Sequence, residues 1–367
     1  MSLIPWEYIK EKLVLPIINP QEIGDKLTYC GLETKIIQRE NDIYFEFDIL
    51  PNRPDLLSWW GIVQEIGIIL NCQVKPVNFP VINESKEESI EVEVNTNNCL
   101  EFHLGLIKNI EVKESPLWIK KWLAANNIRI INNVVDSANL VMLESGQPLH
   151  IFDYDTLPEK KIVIHQAHQG EKINALHGQE LMLNSEDIII SSGEKIISLA
   201  GIIGSYETAI TPHTKNIIAE CASFNPQTIK KTAKRLNIST AASHFFSRGA
   251  NLVLTPQQVL TRFTSLITDD IRQGDLNSKT IFSYQEAKKI PLMITISEEF
   301  ITKKVGQILT EQTINNIWQQ LKFSYQKREN NYYITIPLSR PDITIPEDLL
   351  EELLRIYDYN RVIGSLP

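Results

Sequence analysis

The chain reads as a multidomain α+β protein, and three features of its sequence predict that class. At 367 residues it exceeds what one hydrophobic core usually supports, so several domains are expected. Strand-like and helix-like stretches follow one another irregularly and do not alternate as βαβ units. The composition also shifts twice, at the polar linker-like stretch NESKEESIEV (83–92) and again near 275–290. These breaks predict domains over 1–84, 85–285 and 286–367: a small α/β module, a larger mixed α+β domain and a small C-terminal domain. No internal repeat is evident.

The elements can be justified in order. SLIPWEYIKEKLVLP places Trp6, Ile9 and Leu13 at helical spacing. NPQEIGDKLTYCGLE predicts a second helix, with Asn19 as N-cap, Pro20 in the first turn and Gly31 at its end. DIYFEFDI alternates like a strand, and PNRPDLLSWWGIVQEIGIIL restarts as a buried helix capped by Asp55 or Ser58. Beyond the linker, ESPLWIKKWLAANNI reads as helix, and KIVIHQA, EDIIISS, KIISLAGIIG and NIIAECASF read as strands or strand-turns. NPQTIKKTAKRLNI is a helix with Asn225 as N-cap and Pro226 behind it. The last domain reads as helix (LTEQTINNIWQQL), strands (FSYQKR, NYYITIPL) and helix (PEDLLEELLRIY).

Bulk properties exclude several function classes. The chain is 43% hydrophobic and 22% charged, ordinary for a globular protein. No apolar run has the length of a membrane span and the start is unlike a signal peptide, so a cytoplasmic protein without a membrane partner is expected. Four dispersed cysteines, Cys30, Cys72, Cys99 and Cys221, argue for reduced thiols rather than a zinc site or disulfide framework. The net charge of −9 argues against indiscriminate nucleic-acid binding but leaves room for a local basic patch.

Four stretches carry chemistry. In SRPDITIPEDLLEELLRIY, Asp348, Glu351 and Glu352 fall at i, i+3 and i+4 on one helix face, with Asp342 on the turn upstream and Thr344 and Glu347 as a capping-box pair. Four hard oxygen donors suit Mg²⁺, although acidic residues also favour helix N-termini through the macrodipole, and spacing alone favours that plainer reading. In GQPLHIFDYD a Gly-Gln-Pro turn delivers His150 into a loop, where an imidazole neutral at pH 7 can activate water, with Glu220 as a partner. A satisfied structural histidine is the bland alternative. STAASHFFSRGAN and LAGIIGS supply small residues, including Thr240, Ala242, Gly201 and Gly204, that leave room for a ligand or simply make tight turns. In KKTAKR the side chains of Lys230, Lys231, Lys234 and Arg235 face water, suited to phosphate contact or to plain solvation.

At these residues the chain resembles the beta subunit of bacterial-type phenylalanine–tRNA ligase. The similarity runs nearly end to end through DILPNRPDLLSWWGI, PLWIKKWL, INNVVD, VMLESGQPLHIFD, LAGIIG, SRPDI and EDLLEELLRIYDYNRV, in that order. The resemblance implies an N-terminal α/β module, an editing domain that hydrolyses tyrosine mischarged onto tRNA(Phe), and a winged-helix-like domain. It implies an alpha-subunit partner in a two-alpha, two-beta assembly, tRNA(Phe) as substrate, ATP as the holoenzyme's substrate, and Mg²⁺ at Asp342, Asp348, Glu351 and Glu352. It assigns the editing pocket to His150 and Glu220, with Asn139, Gly201, Thr240 and Ala242 binding substrate.

Departures from the family pattern matter as much. The family's oligonucleotide-binding insert is absent between GLETKIIQREN and DIYFEFD, and the chain stops at VIGSLP, where catalytic-like and anticodon-binding modules are expected. Such a chain does not aminoacylate alone and is expected to be a truncated form. Around the pocket, Ala138, Ala241, Phe245 and Ser247 stand where the family carries Thr, Asp, Arg and Glu, and Ser205 replaces a glycine. The expectation is a structural, tRNA-contacting beta chain with a degenerate editing site. The alternatives are an active editing hydrolase or a non-catalytic RNA- or protein-binding module.

Overall fold

A computed structural model describes residues 3–14, 19–39, 41–76, 90–176, 178–250, 254–268, 278–285 and 290–362. Residues 83–89 of the expected linker, the compositional break at 275–277 and 286–289, Asn251 and the terminal 363–367 lie outside them. The chain divides into two compact units, one built from Met1–Val77 with Lys289–Pro367 and the other from Asn78–Lys288.

The N-terminal part of the first unit runs β1 (Leu3–Pro5), α1 (Trp6–Lys12), α2 (Pro20–Tyr29), β2 (Thr34–Arg39), β3 (Asp42–Phe47) and α3 (Trp59–Ile69). The local capping rules act as expected. Asn19 Oδ1 accepts from Gln21 N at 2.9 Å at the head of α2, and Gly31 adopts φ +89° just past its end. Of the two cap candidates for α3 the residue used is Ser58, whose Oγ accepts from Gly61 N at 2.9 Å; Asp55 is engaged elsewhere. β2 and β3 pair antiparallel, with Arg39 opposite Asp42.

The second unit begins with β4 (Glu91–Val94), so the expected linker ends earlier than 92, and continues through β5 (Cys99–Ile107), α4 (Leu117–Ala125) and α5 (Asn133–Ser145). β6 (Leu149–Asp153), β7 (Lys161–Gln166), β8 (Lys172–Asn174), β9 (Glu180–Met182), β10 (Ile188–Ser192), β11 (Lys195–Leu199), β12 (Ile203–Gly204) and β13 (Ile217–Phe224) follow. The unit closes with α6 (Pro226–Leu236), α7 (Ala241–Phe246), α8 (Pro256–Ile267) and β14 (Ser278–Gln285). Its larger sheets have the orders β12-β11-β10-β7-β4 and β14-β5-β13-β6, with β8-β9 as a separate ladder. Among the described strands only the β4–β7 pair is parallel, which suits an α+β architecture. β13 is buried along its whole length. Its Ile218, Ala222 and Phe224 join the core shared with the five-stranded sheet, while Ile217, Ala219 and Cys221 pack with Val134 and Val141 of α5 and Phe263 of α8.

The C-terminal part of the first unit runs β15 (Met293–Ser297), α9 (Glu298–Val305), α10 (Glu311–Gln320), β16 (Ser324–Arg328), β17 (Asn331–Thr335) and α11 (Pro346–Tyr357). Its order of strands and helices repeats that of the N-terminal part. Both three-stranded sheets also place the first strand beside the third and the third beside the second. The repeat reaches individual residues. Arg53-Pro54-Asp55 precedes Glu65 by the same spacing at which Arg340-Pro341-Asp342 precedes Glu352, and each arginine binds both of its carboxylates. An internal repeat is therefore present, contrary to the reading of the sequence. Its fingerprint is the shared Arg-Pro-Asp tripeptide with a glutamate ten residues after each aspartate.

Candidate functional sites

The first site lies in the second unit. The Gly-Gln-Pro turn is anchored by Gln147, fully buried, whose Nε2 donates to Pro148 O at 2.9 Å and across to Ala222 O on β13 at 2.8 Å. Gly146, at φ +73°, ends α5, and the chain enters β6 directly. His150 is thus a strand residue, not a loop residue as its turn suggested, and stands directly opposite Glu220 in the β6–β13 register. Residues opposed in an antiparallel pair share a face. Sequence reasoning named both residues, but their cross-strand pairing is non-local information.

The imidazole is tightly seated. It packs edge-on to Phe152 with ring centroids 4.4 Å apart, and a Cβ added at Gly204 would sit 2.1 Å from His150 Cε1. Only glycine allows that approach, which gives Gly204 a role beyond its turn. Gly201 (φ +67°) is equally constrained, because a Cβ there would come within 3.0 Å of Ile229 Cδ1 and 3.1 Å of Phe246 Cδ2.

His150, Glu220, Gly201 and Ala242 line one small cavity of about 50 Å³, together with Ser198 and Phe246. At about 50 Å³ the cavity has room for water. Burial pushes the His150 imidazole down to about 4 and the Glu220 carboxyl up to about 8. Both are neutral at pH 7, and Glu220 Oε2 has no hydrogen-bond partner among the described residues.

Two other expected pocket residues sit differently. Thr240 caps α7, accepting from Ser243 N at 3.0 Å and donating to Ile202 O at 2.9 Å, so its hydroxyl holds helix and turn together. Residues Ala241–Phe246 of STAASHFFSRGAN form a short helix, where the plainer reading had a tight turn. Asn139, on α5, does not line the cavity. Phe245, where the family carries arginine, is buried.

The second site lies in the first unit. Asp342, Asp348, Glu351 and Glu352 do converge, lining one cavity of about 110 Å³ with Asp48, Glu65, Arg53 and Arg355 among its other walls. Their bonding separates them into two pairs. Arg340 Nε and Nη2 bind Asp342 at 3.0 and 2.7 Å, and its Nη1 and Nη2 bind Glu352 at 3.0 and 2.6 Å. Arg355 then joins Glu352 (Nη2, 2.6 Å) to Glu65 (Nη1, 2.6 Å), and Glu65 reaches Arg53 (3.1 Å) and through it Asp55 (2.8 Å). Four carboxylates alternate with three guanidiniums in a chain of nearly buried charge. Burial opposes ionisation of Glu65 and Glu352. Arg355 with Arg53 in the first case, and Arg355 with Arg340 in the second, nevertheless hold both carboxyls below the usual range.

Asp348 caps α11, accepting through Oδ2 from Thr344 N at 2.7 Å and Ile345 N at 3.0 Å. The expected Thr344–Glu347 capping box is thereby corrected: the carboxylate that closes the turn is Asp348. Among the described residues no three His, Cys, Asp or Glu side chains are grouped to hold a metal directly. With Asp342 and Glu352 bound to guanidiniums, the arrangement fits a hydrated cation met by Asp348 and exposed Glu351 rather than a four-carboxylate cage.

On α6 the lysines are exposed as expected, but Arg235 is not simply solvated. It pairs with fully buried Asp187, which also accepts from Thr232 Oγ1 at 2.7 Å. No helix among the described residues is long and apolar enough to cross a membrane.

Comparison with known proteins agrees with this architecture. Residues 98–270 match the B3/4 domain family and residues 294–359 the tRNA synthetase B5 domain family. The phenylalanine–tRNA ligase beta subunit of Streptococcus pyogenes serotype M3 is 33% identical over 372 residues, covering 100% of this chain and 44% of that protein. The beta subunit of Fusobacterium nucleatum is 35% identical over 344 residues, covering 92% and 42%. This chain therefore spans less than half the length of these relatives. An N-terminal fragment of the phenylalanyl-tRNA synthetase beta subunit from Pyrococcus horikoshii shares the fold at TM-score 0.55 and 16% identity, covering 97% of this chain and 99% of that one.

Proposed function

The chain belongs to the phenylalanine–tRNA ligase beta-subunit family, and from that premise we propose that it serves as the N-terminal portion of a ligase that charges tRNA(Phe) with phenylalanine at the expense of ATP. It does so with an alpha subunit, in a two-alpha, two-beta assembly in the cytoplasm, and contributes structure and tRNA contact. Its editing pocket is degenerate. The observation that carries this last point is the pair His150–Glu220. A general base works best with a pKa near the operating pH, yet burial takes the imidazole down to about 4, well below it; the carboxyl, pushed up to about 8, is mostly protonated at pH 7. At pH 7 the imidazole is thus a weak base.

The acidic cavity is assigned to Mg²⁺, held through Asp348 and Glu351, with Asp342 and Glu352 adding negative charge from within their arginine pairs. The ion would supply a hard cationic centre at that surface. A second reading, an active editing hydrolase, draws support from the unpartnered Glu220 Oε2, a buried group that a ligand or water would satisfy. Deacylation of tyrosine-charged tRNA(Phe) by the ligase reconstituted with its alpha subunit separates the two. We expect slow cleavage that changes little in His150→Ala; rapid cleavage abolished by that change would establish active editing.

A further inference from the structure

Two of the stretches that carry the family resemblance, PLWIKKWL and INNVVD, line neither cavity. The first forms most of α4, a helix in which seven of nine residues are apolar. Ile119, Leu123 and Ala125 are its buried side. A second apolar side lies open: Leu117 is 81% exposed, Trp118 is 40% exposed, and Trp122 is half-buried. The two indoles meet edge-on, with ring centroids 5.0 Å apart. A surface helix normally buries one stripe and turns polar residues to water, whereas a helix apolar all round is a covered helix. By that rule α4 is covered on one side only.

The second stretch holds the open side in place. Asp136 of α5, fully buried, accepts from Ser115 Oγ just before α4 and from Ile131 N at 2.9 Å. One carboxylate thereby brings Ile131, itself 58% exposed, beside the start of α4. Buried Asn133 accepts from Lys113 N at 2.8 Å and donates to Glu111 O at 2.9 Å, while Asn132 caps α5. Three polar side chains of one motif thus fix the chain on both sides of α4. What they order includes a group of exposed apolar side chains, and ordering such a group in advance lowers the entropy cost of binding.

We propose that Leu117, Trp118 and Ile131 form a docking surface for an acidic amphipathic helix of a partner protein. Exposed apolar patches mark interaction sites, and tryptophan is the commonest interface anchor. Charge selects the acidic partner: from Ser115 to Val135 the chain carries Lys120, Lys121 and Arg129 and no Asp or Glu, within a chain of net charge −9. Lys120 is engaged by Glu114, while Lys121 and Arg129 are exposed at the edge of the apolar group. Spacing selects a helix, since Trp118 and Trp122 stand at i and i+4, the ridge that packs against a neighbouring helix. Single-stranded RNA is the poorer fit, because two indoles set at 76° to each other offer no parallel faces for successive bases. The surface is independent of both cavities and of whether the editing pocket works.

The test uses the full chain and two fluorescein-labelled synthetic peptides about 20 residues long, enough to be helical alone. One carries leucines along one face with glutamates around them; the other has lysines in place of the glutamates. In fluorescence anisotropy the acidic helix should bind about tenfold more tightly than the basic one. The gap should close at about 1 M salt, where the Debye length is about 3 Å. The double change Leu117→Gln, Ile131→Gln should weaken the acidic helix about tenfold. Both side chains are more than half exposed, so the Tm should stay at the parent value. A control double change at exposed Met182 and Ile308, each to Gln, should leave binding as it was. No binding of the acidic helix, or equal binding of the two helices, overturns the docking surface. So does binding that survives the Leu117 and Ile131 changes, or that the control weakens equally. Tighter binding of oligouridylate or of phosphatidylserine vesicles, lost in the same double change, also overturns it, in favour of a nucleic-acid or a membrane surface.

Discussion

The two cavities bury ionisable groups by opposite means. Around His150 and Glu220 the protein supplies apolar walls and no counter-charge, so burial is met by neutralisation: the base loses its proton and the acid keeps it. Around Glu352 the protein supplies guanidiniums, so carboxylates more deeply buried than most stay ionised. The same physical penalty yields a quiet pocket in one unit and a charged seam in the other. Burial alone therefore says nothing about whether a site is charged; the partners decide.

The sharpest way to break this comparison is to remove a partner from the charged seam. Arg355 bridges Glu65 and Glu352, joining the two repeated halves of its unit. Arg355→Ala would leave two buried carboxylates short of a counter-charge, and we expect a loss of about 3–5 kcal/mol in denaturant unfolding of that unit. A loss below about 1 kcal/mol would show the seam to be solvated and the comparison empty.

The neutral pocket should respond to pH rather than to partner removal. Glu220 titrates at about 8 when folded against 4.5 as a free side chain, so its contribution is full below 4.5 and is lost as pH rises through 8. His150 runs the other way: its contribution is full above 6.5 and is lost as pH falls toward 4. The opposing slopes overlap between 4.5 and 6.5. Glu220→Gln removes one of them, and its stability relative to the parent should improve by about 2–4 kcal/mol from pH 4.5 to pH 8 in unfolding titrations. A constant difference across that range would mean that Glu220 is ionised or solvated in the folded protein.

How much of this was legible in the sequence depended on distance along the chain. The caps at Asn19 and Asn225 follow from adjacent residues, and α5 carried the same signals, an Asn132 N-cap and Gly146 at φ +73°, although the reading assigned no helix there. The arginines that occupy the metal candidates were also local, since Arg340 lies two residues before Asp342 and Arg355 three after Glu352. What stayed hidden was non-local. Glu65 meets Arg355 across 290 positions, and the register that sets Glu220 opposite His150 is decided by strand pairing alone. The small residues at Gly201, Gly204 and Ala242 gave away a cavity but not its size.

Asp348 joins the two logics on one side chain, because its Oδ2 caps α11 while the carboxylate lines the acidic cavity. Capping needs only an acceptor, whereas cation binding needs the charge. Asp348→Asn keeps an acceptor oxygen and should change stability by less than about 0.5 kcal/mol, while Asp348→Ala loses the cap and should cost about 1 kcal/mol. Both changes should weaken Mg²⁺ binding in calorimetric titration, and to the same degree, since each removes the same charge. If Asp348→Asn bound Mg²⁺ as the parent does, the carboxylate would be a helix cap and nothing more, and the charge that meets a cation would have to come from Glu351 and Asp48.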